Sequence, residues 1–313
     1  MKWVKRAVAG VAAALVLFVF GWAPWWLAGL ATTRRFAYND RENAGLSPAS
    51  FELPYEDVTL TAPDGVPLKG WWVPAAESRG TVVLVHGLNR SRIEMVRKVP
   101  FLSRLGWNAL LFDLRHHGES GGSASSFGFF ERQDVHAAVA FARRRSPGPV
   151  ALWGVSLGAA SATLAAAEDR DIAALVADSS YRSLRDTVSH HLALFRGFRW
   201  WLRIVPAWPV ADAVVYWIGR RAGFDPDRVD VRAAAVHLSG RPCLFVCNSG
   251  DRRMPAEIAF ELKAAAGAQA RVLVVPGKSH GGAYRDGTNA YENAVTEVLG
   301  AAAAPAVRLA SGQ

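Results

Sequence analysis

The sequence predicts an α/β fold: an open, mostly parallel central sheet flanked by helices, with a helical insertion and an N-terminal transmembrane helix. Three observations carry this. Short apolar runs without polar alternation recur through residues 51–300, as in strands buried on both faces of a parallel sheet. Segments of helical period separate them, the alternation of βαβ units. Residues 7–31 carry no charge at all. With 313 residues, 51% hydrophobic and 20% charged, the chain is excluded from the disordered class and can bury one large core. Two cysteines exclude a disulfide scaffold.

The elements follow in order. Residues 7–31 are long enough to cross a hydrocarbon core of about 30 Å. Lys2, Lys5 and Arg6 precede them, and Arg34 and Arg35 follow. Gly29-Leu30-Ala31 also offers the small residues of a signal-peptide cleavage site, so secretion after cleavage stands as the alternative. The length and Trp25-Trp26 favour residues 1–35 as an uncleaved, single-pass anchor in a bacterial-type cell membrane. The flanking charge places the globular part outside. Residues 36–50 read as a polar linker. An extended pair, 57–62 and 68–73, is joined by the turn signature Pro63-Asp64-Gly65. Strands are expected at 81–85, 109–112, 150–153, 173–176, 243–247 and 272–275. Helices are expected at 93–105, 131–144, 157–167, 256–266 and 290–299. Residues 181–240 break the rhythm as an insertion, and 301–313 form an Ala-rich flexible tail.

The motifs sit where these elements end. Gly154-Val155-Ser156-Leu157-Gly158 follows a buried strand and opens a helix. A serine on such a sharp turn is exposed above a helix N-terminus, and bulky neighbours two residues away would clash. Its hydroxyl needs an imidazole, itself oriented by a carboxylate. His280 lies in a Gly-rich loop after the last apolar run, and Asp251 in the loop after the previous one. The order Ser156, Asp251, His280 suits strand-end triads of this architecture; Asp178 is the alternative acid. The oxyanion of an attacked carbonyl needs two backbone N–H donors, assigned to Leu157 and to Leu88 in the loop after Val85-His86-Gly87. His86 is expected to brace that loop, and 113–121 to close as a tight loop through ion pairs. His116-His117 matches no ligand spacing, so no metal or cofactor is expected.

These motifs together resemble the α/β-hydrolase superfamily over about residues 55–299, nearest to its membrane-associated serine-aminopeptidase-like branch. The resemblance rests on Leu84-Val85-His86-Gly87, Asp113-Leu114-Arg115 with Gly118 and Ser120, the Ser156 pentapeptide, Gly250-Asp251 and Ser279-His280-Gly281. It implies the α/β-hydrolase fold and a serine-hydrolase mechanism, and it implies that the 181–240 insertion is a lid. Arg252-Arg253-Met254 makes the acid loop unusually cationic for this pattern.

The net charge of +9 and the 12 Trp are unevenly placed. Residues 1–35 and 181–224 each carry a net +5, and together they hold Trp3, Trp22, Trp25, Trp26, Trp200, Trp201, Trp208 and Trp217. The rest is nearly neutral. That partition argues against a nucleic-acid partner and for membrane lipids. In the insertion, Arg196, Arg199 and Arg203 share one helical face and Phe195, Phe198 and Leu202 another. Such a helix can simply pack its apolar face on the core, or rest as a lid on anionic lipid. The expected function is a membrane-anchored serine hydrolase acting on a small-molecule or lipid-like acyl substrate, with Trp-rich walls pointing to an acyl chain. A thioesterase, amidase or acyltransferase would use the same triad. A non-catalytic, membrane-tethered binding scaffold is the competing class.

Overall fold

The structure, a computed structural model, describes residues 1–33, 43–198 and 207–303. Linker residues 36–42, insertion residues Arg199, Leu202 and Arg203, and tail residues 304–313 lie outside them. Eight strands form one sheet: β1 (Glu56–Thr61), β2 (Pro67–Val73), β3 (Thr81–Val85), β4 (Asn108–Phe112), β5 (Val150–Val155), β6 (Ile172–Asp178), β7 (Cys243–Asn248) and β8 (Ala270–Val275). Their spatial order is β1-β2-β4-β3-β5-β6-β7-β8. The first two strands run antiparallel to their neighbours and the other six are parallel.

Every residue of β3, β4, β5 and β7 is buried, which is why these runs lack polar alternation. Side chains alternate between two core layers. Val83, Leu110, Leu152 and Phe245 face one side; Leu84, Leu111, Trp153 and Leu244 face the other. Gly65, at φ +87°, allows the β1–β2 turn, closed by its N–H to Ala62 O at 2.8 Å. The helix expected at 93–105 instead winds as a 3-10 segment over Arg92–Lys98 and becomes α-helical only over Val99–Arg104. Pro100 sits in the first α-turn, where its missing N–H costs nothing.

The expected loop at 113–121 is closed by charge. Asp113 accepts the Arg92 and Glu119 backbone N–H groups at 2.7 and 2.9 Å and pairs with the Arg92 guanidinium. Arg115 bridges Asp134 and Asp64 at 2.7 and 2.6 Å. Gly118 is required here, because a Cβ would lie 2.2 Å from Asp113 Oδ2 at φ +47°.

The N-terminal helix runs unbroken over Lys2–Thr32, with a π-helical turn at Phe18–Trp22 just ahead of Pro24, whose missing N–H breaks the regular ladder. It has two parts. Residues 1–17 are exposed throughout. From Ala23 the helix packs against Ala207–Ala222 of the insertion, burying Pro24, Ala28 and Thr32. The Arg221 guanidinium lies 4.2 Å from the Trp25 ring centroid, and its Nε donates to Trp25 O at 3.1 Å. Thr32 O accepts the Ser125 N–H at 2.8 Å. The segment expected to act wholly as an anchor therefore divides, and residues 23–32 are part of the packed body.

The insertion contributes helices at Leu184–Phe198, Ala207–Ala222 and Val231–Ala235. Arg185 on the first pairs with Asp212 on the second at 2.5 Å and with Asp227, in the 3-10 turn Pro226–Arg228, at 2.8 Å.

Candidate active site

Ser156 joins β5 to the helix Leu157–Glu168 at φ +53°, ψ −114°, a strained conformation for a residue with a side chain. The strain is held by neighbours. Its N–H donates to Asp178 O at 2.8 Å, and its carbonyl accepts Ala160 N at 3.0 Å. The two flanking glycines leave no room for a Cβ. One on Gly154 would lie 2.3 Å from Gly158 O, and one on Gly158 would lie 2.2 Å from Val85 O. Nucleophile strand, helix and β3 therefore meet backbone to backbone.

The three residues of the expected triad come together. His280 Nε2 lies 2.8 Å from Ser156 Oγ, and His280 Nδ1 lies 2.7 Å from Asp251 Oδ2. An ionised Asp251 only accepts, so Nδ1 carries the imidazole proton and Nε2 is left to accept from the serine hydroxyl. Asp251 is buried. Burial pushes its carboxyl up, but the hydrogen bond and charge of His280, with the N–H groups of Met254 and Arg253, outweigh this and hold it below the usual value. Both backbone donors reach Asp251 Oδ1, at 3.1 and 2.9 Å.

The His280 loop is fastened on both sides. Asn248, the last residue of β7, donates to Ser279 O at 2.9 Å. Gly281 N–H donates to Ser179 Oγ at 3.1 Å. Asp178 does not reach His280. Its oxygens accept Ser179 Oγ at 2.9 Å and Tyr291 OH at 3.2 Å, and Tyr291 OH accepts Trp153 Nε1 at 3.0 Å. Burial raises the Asp178 carboxyl. This residue braces the floor beneath the nucleophile.

Of the two expected oxyanion donors, Leu88 lines the cavity that also holds Ser156, and Leu157 opens the helix next to Ser156, where its N–H has no intrahelical acceptor. His86 is fully buried and accepts Leu114 N–H at Nε2, 3.0 Å away. Its other nitrogen therefore donates to Gly87 O at 2.8 Å. Burial first, then the neighbouring His117, lowers His86 well below the ordinary imidazole range, so it is a neutral brace.

A cavity of about 430 Å³ opens over Ser156, lined by Leu88, Arg90, Glu94, Val155, Arg253 and His280 among others. No Trp appears in its lining among the described residues; Trp200 and Trp201 of the insertion lie outside them. Trp153 and Trp72 are buried in the core, while Trp22, Trp25, Trp26 and Trp208 are exposed on the N-terminal and insertion helices. Glu94 escaped the sequence reading. Ser91 and Glu94 have the spacing of a helix capping box, yet Glu94 Oε2 accepts the Gly87 N–H at 2.7 Å and so shapes the loop that carries Leu88.

Comparisons with known proteins agree with this architecture. A family model described as serine aminopeptidase, S33, matches residues 76–232. Protein YqkD of Bacillus subtilis is 25% identical over 240 residues, 75% of this chain and 76% of its own. The polyketide transferase ATR5 of Stachybotrys chlorohalonatus is 34% identical over 128 residues, 39% of this chain and 43% of its own. Among solved structures, an esterase of Pyrococcus furiosus superposes with a TM-score of 0.68 at 25% identity, covering 86% of this chain and 97% of that one.

Proposed function

We propose, for a chain that belongs to the serine aminopeptidase S33 family of α/β-hydrolases, that it is a membrane-anchored serine hydrolase cleaving an ester or similar acyl bond. One observation carries the chemistry: the unbroken relay from Ser156 Oγ through His280 to Asp251 at 2.8 and 2.7 Å. Ser156 Oγ attacks the carbonyl carbon as His280 Nε2 takes the hydroxyl proton. Asp251 stabilises the imidazolium so formed. The N–H groups of Leu88 and Leu157 hold the oxyanion. Collapse of the tetrahedral intermediate expels the alcohol, which receives the proton from His280. Water, activated by the same imidazole, then attacks the acyl-enzyme and regenerates Ser156.

The esterase from Pyrococcus furiosus supports an ester as the substrate. The polyketide transferase relative favours a second reading, in which an alcohol or amine rather than water accepts the acyl group. Both share the first half-reaction. Labelling by a fluorophosphonate tests it: we expect labelling of the wild type and none of Ser156→Ala. Absence of labelling in folded wild-type protein would leave the scaffold reading standing. Nitrophenyl esters of graded length, with and without an added alcohol, separate hydrolysis from transfer.

Anchoring is supported by the mean hydropathy of 2.1 over an 18-residue window of the Lys2–Thr32 helix and by the exposure of its first 17 residues. Signal cleavage after Ala31 would strip Pro24 and Ala28 out of the packed body, so the structure favours retention of this helix.

A further inference from the structure

The cationic stretch Arg252-Arg253 has no part in the reaction as written. Arg253 is nonetheless fixed close to it. Its backbone N–H donates to Asp251 Oδ1 at 2.9 Å, which sets its Cα against the triad acid. Its side chain lines the cavity over Ser156 and His280. It also lines a neighbouring cavity of about 240 Å³, with Arg182, Asp186, His190 and Glu257, and so stands on the wall between the two.

Among the described residues, charge within the main cavity is unbalanced: its charged residues apart from the triad are Arg90, Glu94 and Arg253. Glu94 lies 3.6 Å from Arg90 Nε, so these two largely offset one another. Arg253 has no carboxylate partner among the described residues. Asp186 and Glu257 lie on the far side of the wall, in the smaller cavity. Among the described residues the apolar side chains lining the near side are Leu88 and Val155, too few to select an acyl chain by their burial. A guanidinium presents a planar fork of donors that matches a carboxylate or phosphate.

We propose that Arg253 is a specificity-determining residue that receives an anionic group of the substrate, so that the preferred substrates are esters bearing a carboxylate or phosphate near the scissile bond. This rests on the serine-hydrolase reading above. The cation acts on binding and orientation and takes no proton.

The test compares matched esters on the full-length protein in detergent. With the charge on the acyl side, the pair is 4-nitrophenyl hemiglutarate and 4-nitrophenyl pentanoate. With the charge on the alcohol side, it is 4-acetoxyphenylacetate and 4-methylphenyl acetate. The readout is the ratio of kcat/KM for the anionic ester to that for its neutral partner. We expect a preference of about tenfold for the anionic member of at least one pair, carried mainly by KM. It should vanish in Arg253→Ala, persist in part in Arg253→Lys, reverse in Arg253→Glu and weaken in 1 M salt. A wild type that shows no anionic preference in either pair, or a preference that survives in Arg253→Ala, overturns the proposal while leaving the hydrolase intact. Turnover of none of the four esters overturns both.

Discussion

Replacing Ala28 by Asp tests whether the second part of the N-terminal helix belongs to the packed α/β body. Ala28 is fully buried in the main core cluster, on the segment that packs against the insertion helix Ala207–Ala222. A carboxyl placed there loses its water and meets no designed donor, a cost of about 3–4 kcal/mol whether it ionises or takes up a proton. For a body of this size each kcal/mol lowers the melting temperature by about 2–4 °C, so a drop of about 10 °C is expected. The background should be protein lacking residues 1–22, which keeps the packed segment and discards the exposed one. Thermal unfolding followed by near-ultraviolet circular dichroism is the assay. A variant melting within about 2 °C of its parent would refute the reasoning. Residues 23–32 would then not be docked, and a membrane span that takes in all of residues 7–31, or a signal cleaved after Ala31, would be the better reading.

Two further outcomes follow from the site. Tyr291→Phe removes both the donor to Asp178 and the acceptor for Trp153 Nε1; it should cost about 2–3 kcal/mol in urea unfolding while leaving Ser156 able to react with a fluorophosphonate. Asp251→Asn should change how stability depends on pH. Because the folded-state carboxyl is held below its ordinary value of 3.8, its contribution is complete above that value and is lost as pH falls through the lower folded one. The difference in unfolding free energy between wild type and Asp251→Asn should thus stay flat from about pH 5 to 8 and shrink below about pH 4; a gap that widens in acid would contradict the assignment.

The sheet was legible because burial on both faces leaves its mark on each strand separately: 81–85 and 243–247 read as strands with no knowledge of their neighbours. The triad candidates were legible for a related reason. Ser156 follows directly on β5, and Asp251 and His280 lie in the loops that follow β7 and the half-exposed β8, so a one-dimensional reading of strand ends places them on the same edge. The cavity walls were not legible, since they come from loops whose side chains meet only in three dimensions. Trp counts do not place those walls for the same reason: a tryptophan near the insertion says nothing about which way its ring faces. Nor could hydropathy show the division of the N-terminal helix. A segment apolar on every side suits lipid and protein equally well, and only the fit of Arg221 against Trp25 and Gly29 separates the two parts.

That fit also changes what the basic insertion means. Its excess of arginine suggested cations offered to lipid, yet several are engaged inside the protein. Arg182 pairs with Glu261 at 2.8 Å, Arg185 with Asp212 and Asp227, and Arg221 with Trp25. These pairs form a continuous line of contacts. Residues 23–32 hold Ala207–Ala222, that helix is tied through Asp212 and Arg185 to Leu184–Phe198, and His190 on the latter lies 2.8 Å from Arg252 O, one residue beyond Asp251. A force on the helix outside the body would therefore reach the acid loop through packed elements, without a slack tether between. The insertion's charge builds that connection first. Arg253, at its end, is the cation that lines the cavity over Ser156.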